Sequence, residues 1–390
     1  MKATFNNSEF AKVLRDATRI VPTSTNKQVL KHVLIKADKD EDRVDVYASS
    51  EDMSIRRTLF QEVTNPPVTI KESGSCLLPA KELYEIVKNA NGHVSLTNNN
   101  QPGKTEIAFG QTKYELSSLA PEQFTPYTDD PDETTTVVLL APELSRLLRR
   151  TTFAVLKGES RPILTGVNLS LSDNSLTGTA TDGLRLAQIT VNCQSVSGNP
   201  RSIPVPATSL DKLVAALPSG DDDEEITLTL GPSSCTVSWG DDMNRMVMRG
   251  LDGVYPEVSR IIPQNPPFKA VLERQAFLDA CERVSILSET EHQRAEFDIF
   301  LERVVVSTRS AQYGFAQDSV EMKSTTLTQK MQILSNINYW IALLRSYEGV
   351  EQIEIGLTDP IKPMTVKPVG GAGVGLIAPL MKASVDSQAA

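Results

Sequence analysis

A chain of 390 residues, 40% apolar and 23% charged, has ordinary globular composition and room for about two to four domains, each with its own core. Cys76, Cys193, Cys235 and Cys281 form no CxxC pair, and His32, His93 and His292 stand at no ligand spacing, so a disulfide framework, a metal centre and histidine-based catalysis are not expected. Taken alone, the formal charge of −10 argues against nucleic acid as a partner, because phosphate binding usually shows as a basic domain.

No charged-then-apolar leader opens the chain and no apolar run approaches membrane-spanning length, which implies a cytoplasmic protein. The first element is an amphipathic helix over residues 8–21, with Phe10, Val13, Leu14 and Ala17 on one face. A second helix is expected over 78–87, where Pro79 suits a first turn because its missing N–H is no loss. The Pro/Asp-rich stretch 125–133 reads as a boundary. A helix over 142–155 follows, with Leu144, Leu147, Leu148 and Thr151 in the same relative places as the first apolar face. Segments 167–171 and 176–180 form a hairpin pattern around Asp173 and Asn174, and so do 226–230 and 235–239. Between the hairpins lies a helix at 205–214, opened by Pro206, and Pro-rich 262–267 marks a second boundary. Beyond it come helices over 275–287, with Phe277, Ala280, Cys281 and Val284 aligned, and over 334–343, with Ser335 where the prolines stood. The glycine run 370–375 follows no helix start and reads as a flexible loop, and 383–390 as a frayed polar tail.

Phe10, Leu144 and Phe277 lie 134 and 133 residues apart, and LPAKELYEIV at 78–87 matches VPATSLDKLV at 205–214 at an offset of 127. Two families of segments in register make a threefold repeat. The implied fold is α+β, with three similar domains at 1–130, 131–262 and 263–382, each holding two helices and antiparallel strands. Charge follows the repeat unevenly. Lys12, Arg15, Asp16 and Arg19 lie opposite the first apolar stripe at roughly 100° per residue, as do Arg146, Arg149 and Arg150 on the second. The third offers Asp279, Glu282 and Arg283, so the faces sum to +2, +3 and −1 in a chain of −10. Basic helix faces of this kind can meet a polyanion while an acidic exterior repels it.

Two strings in the middle third are the most specific. SRPILTGV at 160–167 with LTGTATDGLRLA at 176–187 resembles the middle-domain signature of bacterial DNA polymerase III β sliding clamps, with Leu184 where that family usually has histidine. YPEVSRIIP at 255–263 resembles the segment FPDYxRVLP that closes the family's second domain, and 1–5 and 116–124 also fit. The resemblance implies a DNA clamp fold in which two three-domain subunits close head to tail. Duplex DNA passes through the ring and is contacted by phosphate rather than by base. It also implies a DNA polymerase and a clamp loader as partners, with no catalysis and no cofactor.

Carried over from the same resemblance, the partner-peptide pocket is Leu164, Thr181, Gly183, Leu184, Arg185, Leu186, Pro256, Arg260, Ile261, Leu376, Ala378, Pro379, Leu380 and Met381. The DNA-facing residues are Lys12, Arg15, Arg19, Arg146, Arg149 and Arg150. The dimer interface is Tyr114 and Leu116 on one side, Ile286 and Leu287 on the other. Leu184, and the Lys382 and polar tail that follow Met381, imply a partner motif unlike the usual one, as suits a divergent or phage-borne clamp. Asp182 beside Arg185 has no accompanying nucleophile or second carboxylate, so it reads as a turn residue rather than an acid–base site. The rival reading is a β-rich structural or assembly ring without DNA, which has no need of Arg146, Arg149 and Arg150 on one face.

Overall fold

The computed structural model describes residues 1–64, 66–98, 103–128, 134–158, 160–218, 224–288 and 293–381. The tail 383–390, Lys382 and His292 lie outside the described residues. Six α-helices occur among those described: α1 (Asn7–Ile20), α2 (Ala80–Lys88), α3 (Ala141–Arg149), α4 (Ala207–Ala216), α5 (Arg274–Ser285) and α6 (Ile337–Ser346). The strands around them pair antiparallel in both units.

Local chemistry starts and stops these helices. Asn6 caps α1 by accepting from the Ser8 N–H at 3.0 Å, with Glu9 in the first turn and Arg19 in the last. Phe10, Val13, Leu14 and Ala17 are buried as their spacing requires, and Phe10 stacks on Phe5 with ring centroids 4.1 Å apart. Pro79 and Pro206 sit at the N-cap itself, one step before the first turn. Their counterpart at α6 is therefore Asn336, which accepts from the Asn338 N–H, and not Ser335. Ser335 is fully buried instead, accepting from Trp340 Nε1 at 3.1 Å within an aromatic cluster of Phe277, Phe297 and Trp340.

Helix α3 ends at Arg149, six residues short of the expected end. The Thr151 hydroxyl donates to the Leu147 carbonyl at 2.8 Å, and the chain leaves the helix for a short 3-10 turn at Thr152–Ala154. The run 370–375 is likewise not all loop, since Val374–Ile377 is a strand and Gly375 lies against Leu343.

The chain divides into two compact units, Met1–Glu143 with Cys193–Leu251 and Leu144–Asn192 with Asp252–Ala390. The expected middle domain is thus shared between them, because its strands are sheet partners of both flanking repeats. In the first unit a five-stranded sheet runs Val68–Glu72, Lys2–Asn6, His93–Thr97, Lys104–Phe109, Thr112–Ser117. A nine-stranded sheet of the same unit sets Asn244–Arg249 beside Met53–Phe60, with Met246 opposite Ile55 and Met248 opposite Met53. In the second unit Val374–Ile377 pairs with Arg185–Asn192, with Gly375 opposite Ala187. The repeat thus makes the same junction twice, once in each unit.

Cys76, Cys235 and Cys281 are buried, and burial pushes the first two thiols up to about 12. Among the described residues no group of three or more His, Cys, Asp or Glu could hold a metal ion, and no helix is long and apolar enough to cross a membrane.

Gly178, in strand Ser175–Thr181, lets α3 settle onto the sheet: a Cβ there would lie 2.5 Å from Leu147 Cδ2. Gly178→Val should therefore destabilise the second unit by about 1–3 kcal/mol, the cost of overpacking, read as a lowered thermal midpoint. An unchanged midpoint would show that Leu147 can move aside freely.

Candidate functional site

In the second unit, several of the expected pocket residues meet at one tight turn. Asp182 Oδ1 accepts from the backbone N–H groups of Leu184 and Arg185, both at 2.9 Å, and its Oδ2 accepts from Arg185 Nε at 3.0 Å. Gly183, at φ 93°, takes the left-handed conformation the turn needs. The turn drives Leu184 outward, 52% exposed, and holds Arg185 inward at 8%. There the guanidinium lies 4.7 Å from the Tyr339 ring centroid and 5.7 Å from that of Phe153.

The neighbouring segments lock onto this turn by hydrogen bonds and an apolar cluster. Tyr255 Oη accepts from the Thr181 N–H at 3.0 Å, and burial pushes its phenol up to about 12. Leu186, Val258, Ile262 and Leu376 pack together with Val374 at their margin. Past the strand, the Ala378 N–H donates to the Leu184 carbonyl at 2.8 Å and the Leu380 N–H to the Leu334 carbonyl at 2.7 Å. Leu164, Thr181, Arg185, Leu186 and Leu376 are buried; Ala378, Pro379 and Leu380 are half-buried. Gly183, Leu184, Pro256, Arg260, Ile261 and Met381 are exposed.

Sequence reasoning passed over Tyr255, Val258, Ile262, Phe153 and Tyr339. The first three lie inside the 255–263 string and could have been taken from its apolar spacing. Phe153 and Tyr339 reach Arg185 from other stretches, and no local signal marks them.

The basic helix faces divide differently from the sequence reading. Lys12 and Arg15 are 58% and 51% exposed in their side chains, with Lys12 Nζ 2.8 Å from Glu9. Asp16, expected among the exposed charges, is buried at 4%, within 3.2 Å of Arg19 Nη1 and 3.5 Å of Arg57 Nη1. Burial pushes its carboxyl above the ordinary value, against the pull of Arg57, Arg15 and Arg19. Arg19 also donates to the Ala215 carbonyl in the last turn of α4 at 2.7 Å, so it braces two helices.

On α3, Arg146 and Arg149 are exposed. Arg150 departs from them: it donates to the Ala372 carbonyl at 2.9 Å and stacks 5.3 Å from the Tyr347 ring centroid. The physical reason is tertiary: its N–H still bonds the Arg146 carbonyl, but its guanidinium is held by groups brought from residues 347 and 372.

Tyr114 and Leu116 share one side of Thr112–Ser117, the outermost strand of the five-stranded sheet; Tyr114 is 41% exposed and Leu116 half-buried. In the second unit, Ile286, 78% exposed, and half-buried Leu287 follow the last turn of α5. Strand Gly314–Thr325 carries Phe315, 50% exposed, beside Tyr313 at 59%.

Models of the N-terminal, central and C-terminal domains of the DNA polymerase III beta subunit match residues 1–128, 139–257 and 259–378. Proteins named beta sliding clamp are similar over nearly their whole length. That of Staphylococcus epidermidis is 27% identical over 370 residues, 94% of this chain and 96% of the relative. That of Staphylococcus aureus is 27% identical over 376 residues, 96% and 97%. The crystal structure of the DNA polymerase sliding clamp from Bacillus subtilis superposes with a TM-score of 0.89 at 25% identity, covering 98% of this chain and 100% of the other.

Arg185→Ala would leave Asp182 without its cation and the Tyr339 and Phe153 rings without the guanidinium they hold, and should cost roughly 3 kcal/mol, the scale for breaking a buried ion pair. Arg185→Lys should not restore it, because an ammonium cannot lie flat between Tyr339 and Phe153. Urea denaturation reads both, and wild-type stability in the lysine variant would contradict the stacking account.

Proposed function

The chain belongs to the DNA polymerase III beta-subunit family of sliding clamps, and from that premise we propose that two copies close head to tail around duplex DNA and tether a polymerase to it. A processivity clamp is a binding protein and not an enzyme, and a β-rich assembly protein without DNA is not favoured. The three-domain division at 1–130, 131–262 and 263–382 follows from the same repeat.

The observation that carries the two-copy closure is the junction made twice within the chain. Met246 faces Ile55 in one copy of it and Gly375 faces Ala187 in the other. Counting along the repeat makes Tyr114 the counterpart of Met246 and Gly375, and Ala316 the counterpart of Ile55 and Ala187. Thr112–Ser117 and the first part of Gly314–Thr325 have no partner strand on the side of this junction among the described pairings; Phe268–Glu273 joins the latter strand there only over 322–325. An exposed strand edge is a liability unless paired, and a second copy supplies the mate. The register is then Tyr114 opposite Ala316 and Leu116 opposite Gly314, with Phe315, Tyr313, Ile286 and Leu287 beside it.

A polymerase or clamp-loader peptide is proposed to rest its apolar side chains on Leu184, Ile261 and Met381, above a floor of Leu164, Leu186 and Leu376. Apolar walls with few polar groups suit a short linear segment anchored by one or two side chains. Arg260 and Pro256 flank it, and Leu184 makes its rim more apolar than a histidine would.

Oxidising Tyr114→Cys with Ala316→Cys should give a covalent dimer, since directly opposed residues bring Cβ atoms within disulfide reach. Tyr114→Cys with Gln317→Cys should give little, because neighbouring positions point to opposite faces. Equal yields would contradict the register, and a monomer mass in light scattering would contradict the two-copy ring. Function is read by processive synthesis on primed circular single strands with polymerase and loader. Ile261→Asp with Met381→Asp should reduce that synthesis, and weaken polymerase-peptide binding about tenfold or more, as loss of central apolar anchors does.

A further inference from the structure

The first and third repeats carry an ion pair at the same place, with its signs exchanged. In the first repeat Asp16 of α1 meets Arg57 of strand Met53–Phe60 at 3.5 Å, and their side chains are 4% and 17% exposed. The offsets that align Phe10 with Leu144 and Phe277, and Ile55 with Ala187 and Ala316, give Arg150 and Ile189 as the second repeat's counterparts and Arg283 and Asp318 as the third's. The second repeat holds no carboxylate there: Ile189 is buried, and Arg150 turns to Tyr347 and the Ala372 carbonyl. In the third, Arg283 Nε of α5 stands 2.6 Å from Asp318 Oδ2 of strand Gly314–Thr325. The carboxylates beside Arg283 on α5 are engaged elsewhere, Glu282 by Arg345 and Asp279 by Gln275. Helix and strand thus trade cation for anion between the two repeats, and what these repeats share is the contact, not the charge of either residue.

The two pairs differ in what covers them. Around Asp16 and Arg57 lie groups of the following repeat. The Trp239 ring centroid is 5.6 Å from the Arg57 guanidinium, and the Ala215 carbonyl accepts from Arg19, which also meets Asp16. The third repeat is the last of the three, and the side chains of Arg283 and Asp318 are 61% and 28% exposed. A pair so open to water contributes little to a single copy. The register proposed above sets Thr112 of a second copy opposite Asp318, as Asn244 lies opposite Arg57. It also sets that copy's Phe109, the cross-strand neighbour of Thr112, where Trp239, the neighbour of Asn244, stands in the first junction.

We infer that the Arg283–Asp318 pair is the charge centre of the two-copy interface, covered by Phe109 and Thr112 of the second copy and opened to water when the copies part. This rests on the head-to-tail closure proposed above. Once covered, the pair loses its hydration and each charge needs the other, so a like charge in either place would be shut in with nothing to oppose it. Because the first repeat makes the same contact in reverse, closure is indifferent to which member is the cation.

Sedimentation equilibrium of the full-length protein over a dilution series reads the dissociation constant of the two copies. Arg283→Asp and, separately, Asp318→Arg should each raise that constant about tenfold or more, since like charges juxtaposed in an interface are strongly unfavourable. Making both changes in one chain should bring it back to within about threefold of wild type, because the two residues act as a coupled pair. Circular dichroism at dilutions where the copies are apart should be the same for all four proteins, and the exchanged variant guards against a single change that fails to fold. Single variants that dimerise as tightly as wild type would show the pair to be solvated surface, overturning the inference while the two-copy ring stands. An exchanged variant as weak as the singles would overturn it too, since the reversed pair would then not replace the original. A wild type that stays monomeric at every concentration would overturn the closure itself, and this inference with it.

Discussion

The antiparallel pairing of the last strand of one repeat with a middle strand of the repeat before it is the constraint on which the rest depends. It occurs as Asn244–Arg249 on Met53–Phe60 and as Val374–Ile377 on Arg185–Asn192. Backbone hydrogen bonds carry it, so side chains at the junction can vary while the register stays, and Met246 opposite Ile55 in one place becomes Gly375 opposite Ala187 in the other. The pairing turns separate repeats into continuous sheets. That is why compactness follows the shared sheets and divides the middle repeat between two units.

The same junction positions the functional surfaces. In the second unit the strand that makes it continues directly into Ala378–Met381, so the pocket's C-terminal wall is the free end of a junction strand, hydrogen-bonded to Leu184 and Leu334. Arg185 begins the opposing strand, and its place between Tyr339 and Phe153 ties the turn to α6 and to the segment after α3. In the first unit Arg57, on a junction strand, reaches Asp16 beneath α1, and Arg19 then reaches the end of α4. The helix that presents Lys12 and Arg15 is thereby anchored to the sheet behind it by a buried carboxylate.

Much of this was legible in the sequence, and the limits are instructive. The apolar faces led by Phe10, Leu144 and Phe277 are set by helix periodicity, and the core packing buries them as that periodicity requires. The turn at Asp182 was legible because Asp, Gly and Arg at that spacing satisfy one another locally. Asp16 was not, since its burial depends on Arg57, forty-one residues away in sequence and adjacent only once the sheet forms. Arg150 was misplaced because Tyr347 and the Ala372 carbonyl, which hold it, lie far along the chain and meet it only in the folded unit. The pairing of Ser335 with the two prolines failed by one residue for a local reason: the cap at Asn336 is a side-chain hydrogen bond, and the proline caps are steric.

If junction pairing closes two copies into a ring, DNA is held by topology and only lightly by charge. The most direct measurement loads the protein onto nicked circular duplex with a clamp loader and ATP, isolates the complex by gel filtration, and then cuts the circle once. The account predicts that protein stays with the intact circle and leaves the linear molecule by sliding off its ends. Equal retention on circular and linear DNA at the same salt would contradict it, because the holding would then be contact rather than enclosure.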